Sequence, residues 1–245
     1  MSLDFSSSTA VVTGAGSGIG KATAIALSNL GATVIACDVN HESLDALKEE
    51  HPELVAFEVD VTDLAAVEDM PNQLPEALRA VNILVNAAGH DIGGRRPFPT
   101  GEAARYAHII QTNLTGLITM TLAFARGMSE RNSGHIINLG STAGLRSEAT
   151  TSTYSASKHG VHGFTECLRK DFANTAVRVT ELNPGRVRTN FGYARAESTA
   201  QGDAFYDEVG ECLSPNDIAN AIVFALSQPQ HVVVAQMVLM PSTQS

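Results

Sequence analysis

The chain is predicted to fold as a single doubly wound α/β domain, 1–245: a seven-stranded parallel sheet with helices on both faces. Short apolar, β-rich runs alternate with longer helical patterns, the sequence form of repeated βαβ units. Most of those runs are apolar throughout rather than alternating, as strands covered on both faces require. No Pro/Gly/Ser-rich linker, repeat or charge block divides the 245 residues.

The elements follow in order. "TAVVTG" leads into the helical "GKATAIALSNLG"; "ATVIACD" precedes the helical "HESLDALKEE"; "ELVAFEVD" and "VNILVNAAG" are the third and fourth strands. A long helical region spans about 101–131, "GHIINLGS" is the fifth strand, and a second long helical region covers about 153–174. "AVRVTELNPG" and "HVVVAQMVLM" complete the sheet. Residues 186–213 are polar and weakly periodic, which marks a substrate loop between the sixth strand and the last helix.

The bulk numbers exclude several functions. A net charge of −10, with no run of Lys/Arg, argues against a nucleic-acid partner. Cys37, Cys167 and Cys212 are widely spaced and unpaired in pattern, as in a cytoplasmic protein. The opening "MSLDFSSSTA" lacks a basic leader, and no segment reaches membrane-spanning length. His159 and His162 have no carboxylate or cysteine at ligand spacing, so no metal is expected and they read as surface or interface residues.

Three local patterns carry chemistry. "TGAGSGIG", Thr13 to Gly20, lies between the first strand and the first helix. There glycines admit a ligand close to the backbone, and the helix N-terminus favours a pyrophosphate. The second strand ends at Asp38, whose carboxylate can accept from both hydroxyls of an adenosine ribose and would repel a 2′-phosphate. That spacing predicts NAD rather than NADP. In "YSASKHG", Tyr154 and Lys158 stand four residues apart, on one helical face, where the ammonium favours the ionised phenol. Ser141, at the end of the fifth strand, falls where open α/β sheets bind ligands and could hold a substrate oxygen.

"TGAGSGIG", "NAAG", "QTNLTG", Ser141, "YSASK" and "NPGRVRTN", in this order and spacing, resemble the short-chain dehydrogenase/reductase family over nearly the whole chain. The resemblance implies a Rossmann-like fold and hydride transfer between a nicotinamide cofactor and a CH–OH group. It casts Tyr154 as general acid/base, Lys158 as the group that lowers its pKa and binds the nicotinamide ribose, Ser141 as the holder of the substrate oxygen, and Asn113 as the holder of a relay water. It also implies a cofactor cleft formed by Gly14, Ser17, Gly18, Ile19, Gly20, Asp38, Asp60, Val61, Asn86, Gly89, Pro184, Gly185, Val187 and Thr189. Ala87 departs from the family's "NNAG". The two long helices usually form the family's dimer contact, so a homodimer or homotetramer is expected.

The substrate is read from arginines. Arg95, Arg96, Arg146, Arg186, Arg188 and Arg195 fall in loops at the carboxyl edge of the sheet, joined by His90 and Asp91 after "NAAG". Arginine suits a carboxylate or similar anion, and Arg146, between Ser141 and Tyr154, ranks first. The closing "QMVLMPSTQS" is similar to the family's serine and 3-hydroxy acid dehydrogenase subgroup, which commonly uses NADP. Two rival readings are a reductase of uncharged ketones or sugars and a non-catalytic dinucleotide-sensing regulator.

Overall fold

In the computed structural model, which describes residues 4–195, 206 and 210–244, the strands are β1 (Thr9–Thr13), β2 (Thr33–Asp38), β3 (Val55–Glu58), β4 (Ile83–Asn86), β5 (Gly134–Leu139), β6 (Val177–Pro184) and β7 (Gln236–Leu239). They form one parallel sheet in the order β3-β2-β1-β4-β5-β6-β7. The helices are α1 (Gly18–Asn29), α2 (His41–Glu50), α3 (Leu64–Gln73), α4 (Ala103–Ile110), α5 (Leu117–Glu130), α6 (Ser152–Asp171), α7 (Asn190–Arg195) and α8 (Pro215–Leu226).

Neighbouring strand residues point to opposite faces, and both faces are dry. Val12, Val34, Ile137 and Leu182 pack with Leu27 of α1, Leu44 and Leu47 of α2, and Ile218 and Ile222 of α8. Val11, Ile35, Leu84, Ile136 and Val179 pack with Val67 and Met70 of α3 and with Met120, Phe124 and Met128 of α5. Each fully buried side chain of this kind contributes roughly 1.5–3 kcal/mol. Local chemistry starts the helices: Asn40 and Asp63 accept from the Ser43 and Ala66 amides, and Ser214 with Asp217 forms a reciprocal capping box.

The doubly wound sheet expected from sequence is present, with two local differences. The helical region at 101–131 is interrupted by a π turn, Gln111–Gly116, between α4 and α5. α3 carries Pro71 and only two buried residues, which left little periodic signal. The expected substrate loop is described at 186–195, Tyr206 and 210–213; its other residues, 196–205 and 207–209, lie outside the described residues.

Gly20 sits where the first turn of α1 crosses the end of β1, and a Cβ there would lie 2.1 Å from the Gly14 carbonyl oxygen. Gly20→Ala is therefore expected to destabilise the fold by about 1–3 kcal/mol, the usual cost of overpacking. At roughly 2–4 °C per kcal/mol for a chain of this size, calorimetry should show Tm falling by several degrees; an unchanged Tm would show that the crossing can relax.

Candidate active site

The carboxyl ends of the strands open into a cleft of about 470 Å³. Its floor is the loop after β1. Gly14 and Gly18 adopt φ +66° and +52°, and a Cβ on Gly14 would lie 2.9 Å from Ala88 Cα. Gly14 thus lets the loops after β1 and β4 pack together, and the glycine loop with the start of α1 lines the cleft, a surface of backbone N–H groups that suits a dinucleotide pyrophosphate. Ser17 caps α1 without a side-chain bond to its N–H groups. Of the cofactor residues expected from sequence, all line this cleft except Asn86. Asn86 is buried inside the sheet, where its Nδ2 donates to Thr121 Oγ1 and Asn138 Oδ1, both at 2.9 Å. It braces β4 against β5 and α5.

Asp38 has a more structural part than expected. Its Oδ2 accepts from the Gly16 amide and its Oδ1 from the Asn40 amide, both at 2.9 Å. The carboxylate is thus tied into the glycine loop and the start of α2.

A second chamber of about 280 Å³ adjoins the cleft. Ser141 and Tyr154 line both, together with Gly185, Val187 and Phe191, so the serine and the tyrosine stand on the wall between them. Ser141 is held where β5 ends by its amide, which donates to Asn183 Oδ1 at 2.9 Å. Lys158, one turn along α6 from Tyr154, is buried in the first cleft and donates to the Leu139 carbonyl at 2.7 Å. Asn113 lies in the π turn, fully buried; its Oδ1 accepts from the His90 amide at 2.8 Å, and its Nδ2 donates to the His90 carbonyl and to Ser157 Oγ. It clasps the segment after β4 to the long helices. Such π turns recur at functional sites.

Burial dominates the electrostatics. Desolvation pushes the Tyr154 phenol above its ordinary value, while the Arg195 charge and a hydrogen bond with Ser141 pull it down and Asp91 pushes it up. The lowering expected from Lys158 is not among the influences on the phenol: its ammonium donates to the Leu139 carbonyl, and the cation that pulls the phenol down is Arg195, over the Tyr154 ring. Lys158 itself is lowered to about 8, chiefly by burial, with Glu181 opposing. His90 lines the cleft beside His108 and is lowered to about 4 by burial, His108 and Arg105, so it is neutral at neutral pH.

The arginines separate by their partners. Arg95 lines the second chamber but is paired with Glu148. Arg96 holds the Gly93 carbonyl, and Arg188 stacks over the Tyr206 ring with Cζ 4.7 Å from its centroid; neither lines a chamber. Arg146 lies exposed at the second chamber; its amide donates to the Thr142 carbonyl, and its guanidinium makes no hydrogen bond or ion pair among the described residues. Arg195 is paired with buried Asp91 at 3.0 Å. That pairing was not legible in sequence, because the two residues are more than a hundred positions apart and share no motif. His162 likewise meets a buried carboxylate, Glu181, at 2.8 Å; among the described residues no cluster could hold a metal ion.

The family model for short chain dehydrogenases matches residues 8–200. The NADP-dependent 3-hydroxy acid dehydrogenase YdfG of Salmonella typhi is 40% identical over 237 residues, covering 96% of this chain and 95% of that protein. Its counterpart from Escherichia coli strain K12 is 38% identical over 244 residues, with the same coverage. The closed form of serine dehydrogenase complexed with NADP+ superimposes with a TM-score of 0.91 at 37% identity, covering 96% of each chain. The chain belongs to the short-chain dehydrogenase family and is an oxidoreductase acting on CH–OH groups. These relatives overturn the preference for NAD read from Asp38: the two YdfG proteins are named for NADP and the serine dehydrogenase is complexed with NADP+, and the acid on which that reading rested is engaged with backbone amides. Among the described residues no helix is long and apolar enough to cross a membrane.

Lys158 offers a test of the site's electrostatics. A lysine whose folded pKa is about 8, against an ordinary 10.5, binds fewer protons when folded than when unfolded between those values. Its penalty on folding is thus full below about pH 8 and disappears as pH rises towards 10.5. The stability of Lys158→Met minus that of the wild type should therefore be most favourable near neutrality and shrink across this window. Denaturant titrations at pH 7 to 10.5 measure it; a difference independent of pH would show that the ammonium is not strained by burial.

Proposed function

We propose that this oxidoreductase oxidises the hydroxyl of a small hydroxy acid, or reduces the matching oxo acid, with hydride passing to or from a nicotinamide dinucleotide. The observation that carries the reading is the shared wall: Ser141 and Tyr154 face a glycine-floored cleft on one side and an arginine-bearing chamber on the other. A substrate in the second chamber then presents its reacting oxygen to both hydroxyls. The names of the relatives, a 3-hydroxy acid dehydrogenase and a serine dehydrogenase, support the substrate class.

When bound, the dinucleotide would supply the hydride acceptor or donor. In oxidation the Tyr154 oxygen, as phenolate, takes the alcohol proton while Ser141 holds the same oxygen by a hydrogen bond; in reduction the phenol returns that proton. Lys158, fixed by the Leu139 carbonyl, keeps a positive charge in the cleft, and Asn113 fixes the backbone at His90 on the wall of that cleft. Arg146, free and at the mouth, takes the substrate's anionic group. Three further readings complete the proposal. The chain is a single domain with a substrate loop in 186–213. It assembles as a homodimer or homotetramer through α5 and α6, where Ile118 and Leu122 are exposed. It works in the cytoplasm, consistent with three free cysteines.

Two substitutions test the assignments. Tyr154→Phe should lower kcat by about 10²–10⁴-fold while dinucleotide affinity, read by fluorescence titration, stays close to wild type; turnover near wild type would remove Tyr154 as the proton carrier. Arg146→Ala should lower kcat/KM for a 3-hydroxy acid by about tenfold to a hundredfold, the worth of one charge-assisted hydrogen bond at roughly 1.5–3 kcal/mol. The methyl ester of the same acid should lose far less. Parallel losses on acid and ester would sink the anion site and favour an uncharged substrate.

A further inference from the structure

Arg195 closes α7 with its side chain turned inward. Its Cζ lies 4.5 Å from the centre of the Phe191 ring and 5.4 Å from that of Tyr154, and the two rings lie 5.5 Å apart. Guanidinium and aromatic faces attract at these distances. Asp91 reaches the same guanidinium from the turn after β4, with Oδ2 3.0 Å from an Arg195 terminal nitrogen; the side chains are 5% and 16% exposed. The turn is built to bring Asp91 there. The Gly94 amide donates to the Asp91 carbonyl at 2.9 Å, and Gly94 takes φ +61°. Arg105 ties the same turn down through the Ile92 and Gly94 carbonyls. A Cβ on Gly94 would lie 2.7 Å from the Arg195 carbonyl oxygen, so turn and helix end are in direct contact.

A buried ion pair seldom adds stability, because both charges lose their water. Here it fixes one cation on the face of the tyrosine that carries the proton. We propose that Arg195, held by Asp91, is a positioning residue for Tyr154: it sets the ease with which the phenol gives up its proton, and it is not the receptor for the substrate's anionic group. The inference rests on the reading of Tyr154 as the proton carrier.

The charges around the phenol come from every neighbouring element. Lys158 lies on the same helix and is turned to the Leu139 carbonyl. Arg195 comes from α7, Asp91 from the turn after β4, and Ser141 from the end of β5. His90 in the adjoining cleft is neutral, with a pKa of about 4. Arg146 is at the chamber mouth, and Arg105 and Arg95 act on Asp91. Of these, Arg195 favours the phenolate and Asp91 opposes it, so their removal has opposite effects.

That opposition supplies the test. Tyrosinate absorbance is titrated in the full-length protein, without cofactor or substrate, and the Tyr154 signal is isolated by subtracting the same variant carrying Tyr154→Phe. Arg195→Met should move the Tyr154 titration up by about one unit or more, the effect of losing a cation at this range. Asp91→Asn keeps an oxygen for the guanidinium but loses the charge, and should move it down. Arg195→Lys should stay near the wild type.

The pH profile of kcat/KM for 3-hydroxypropionate, with whichever of NAD+ and NADP+ the wild type turns over faster, should show the same order in its acidic limb. Shifts of one sign in Arg195→Met and Asp91→Asn, or no shift in either, would overturn the proposal. So would a rise in KM for 3-hydroxypropionate but not for its methyl ester, since Arg195 would then be the anion receptor. Should Arg195→Met fail to fold, judged by its melting curve, Asp91→Asn decides: a downward shift beside an unshifted Arg195→Lys supports the proposal, and an upward shift or none overturns it. Absence of turnover on hydroxy acids would count against the proposed substrate and leave the absorbance titration to decide this one.

Discussion

The chain reverses its direction of travel across the sheet once, after β3, and the placement of the site depends on that reversal. β1 pairs with β2 on one edge and with β4 on the other. Because crossovers between parallel strands are right-handed, the units on either side of β1 put their helices on opposite faces, and no connection closes over the ends of β1 and β4. The glycine loop after β1, the Gly89–Gly94 turn after β4 and Ser141 after β5 therefore rise around one opening. Reactive side chains borne on loops inherit the rigidity of strands whose residues are almost wholly buried, β6 above all.

Within that opening, the fold keeps four ionisable groups out of water by giving each a fixed partner. Lys158 has the Leu139 carbonyl, Asp91 has Arg195, and Tyr154 has Ser141 and the face of that same arginine. Burial pushes the Tyr154 phenol and the Asp91 carboxyl up and the Lys158 ammonium down to about 8. The partners act against it, and the balance leaves a phenol whose proton responds to the charges nearby. Asn113 contributes by geometry, since the π turn that carries it is bound to both sides of the His90 peptide.

What was legible in the sequence was what local pattern controls. Strand ends coincide with the motif residues because glycine, serine and the Asn–Pro pair each interrupt an apolar run. α3 left little trace because Pro71 and a narrow buried face erase the helical period. Asn86 belongs to a motif but faces the sheet interior, since successive strand residues alternate sides. Asp38 stands where a ribose acceptor was expected, yet its two oxygens already serve Gly16 and Asn40, a fact of loop closure that spacing does not encode. Long-range pairs were the least legible, because Asp91 with Arg195 and His162 with Glu181 meet only once the sheet has formed.

The arginines show why position alone does not assign a cation its task. Of the six expected in loops at the carboxyl edge, Arg95, Arg146, Arg186 and Arg195 line the second chamber and Arg96 and Arg188 line neither, and their spare capacity differs. Glu148 cancels Arg95, backbone carbonyls consume Arg96 and Arg105, and the Tyr206 ring covers Arg188. Arg146 retains its full field in a protein of net charge −10, so it can draw an anion locally against the overall repulsion. Being exposed, it holds and releases that anion at small cost. Arg195 is the converse case. Its charge is buried and paired with Asp91, so it belongs to the protein and is not open to a ligand. An exchangeable cation suits binding and a permanent one suits tuning a proton, and Arg146 and Arg195 divide those tasks.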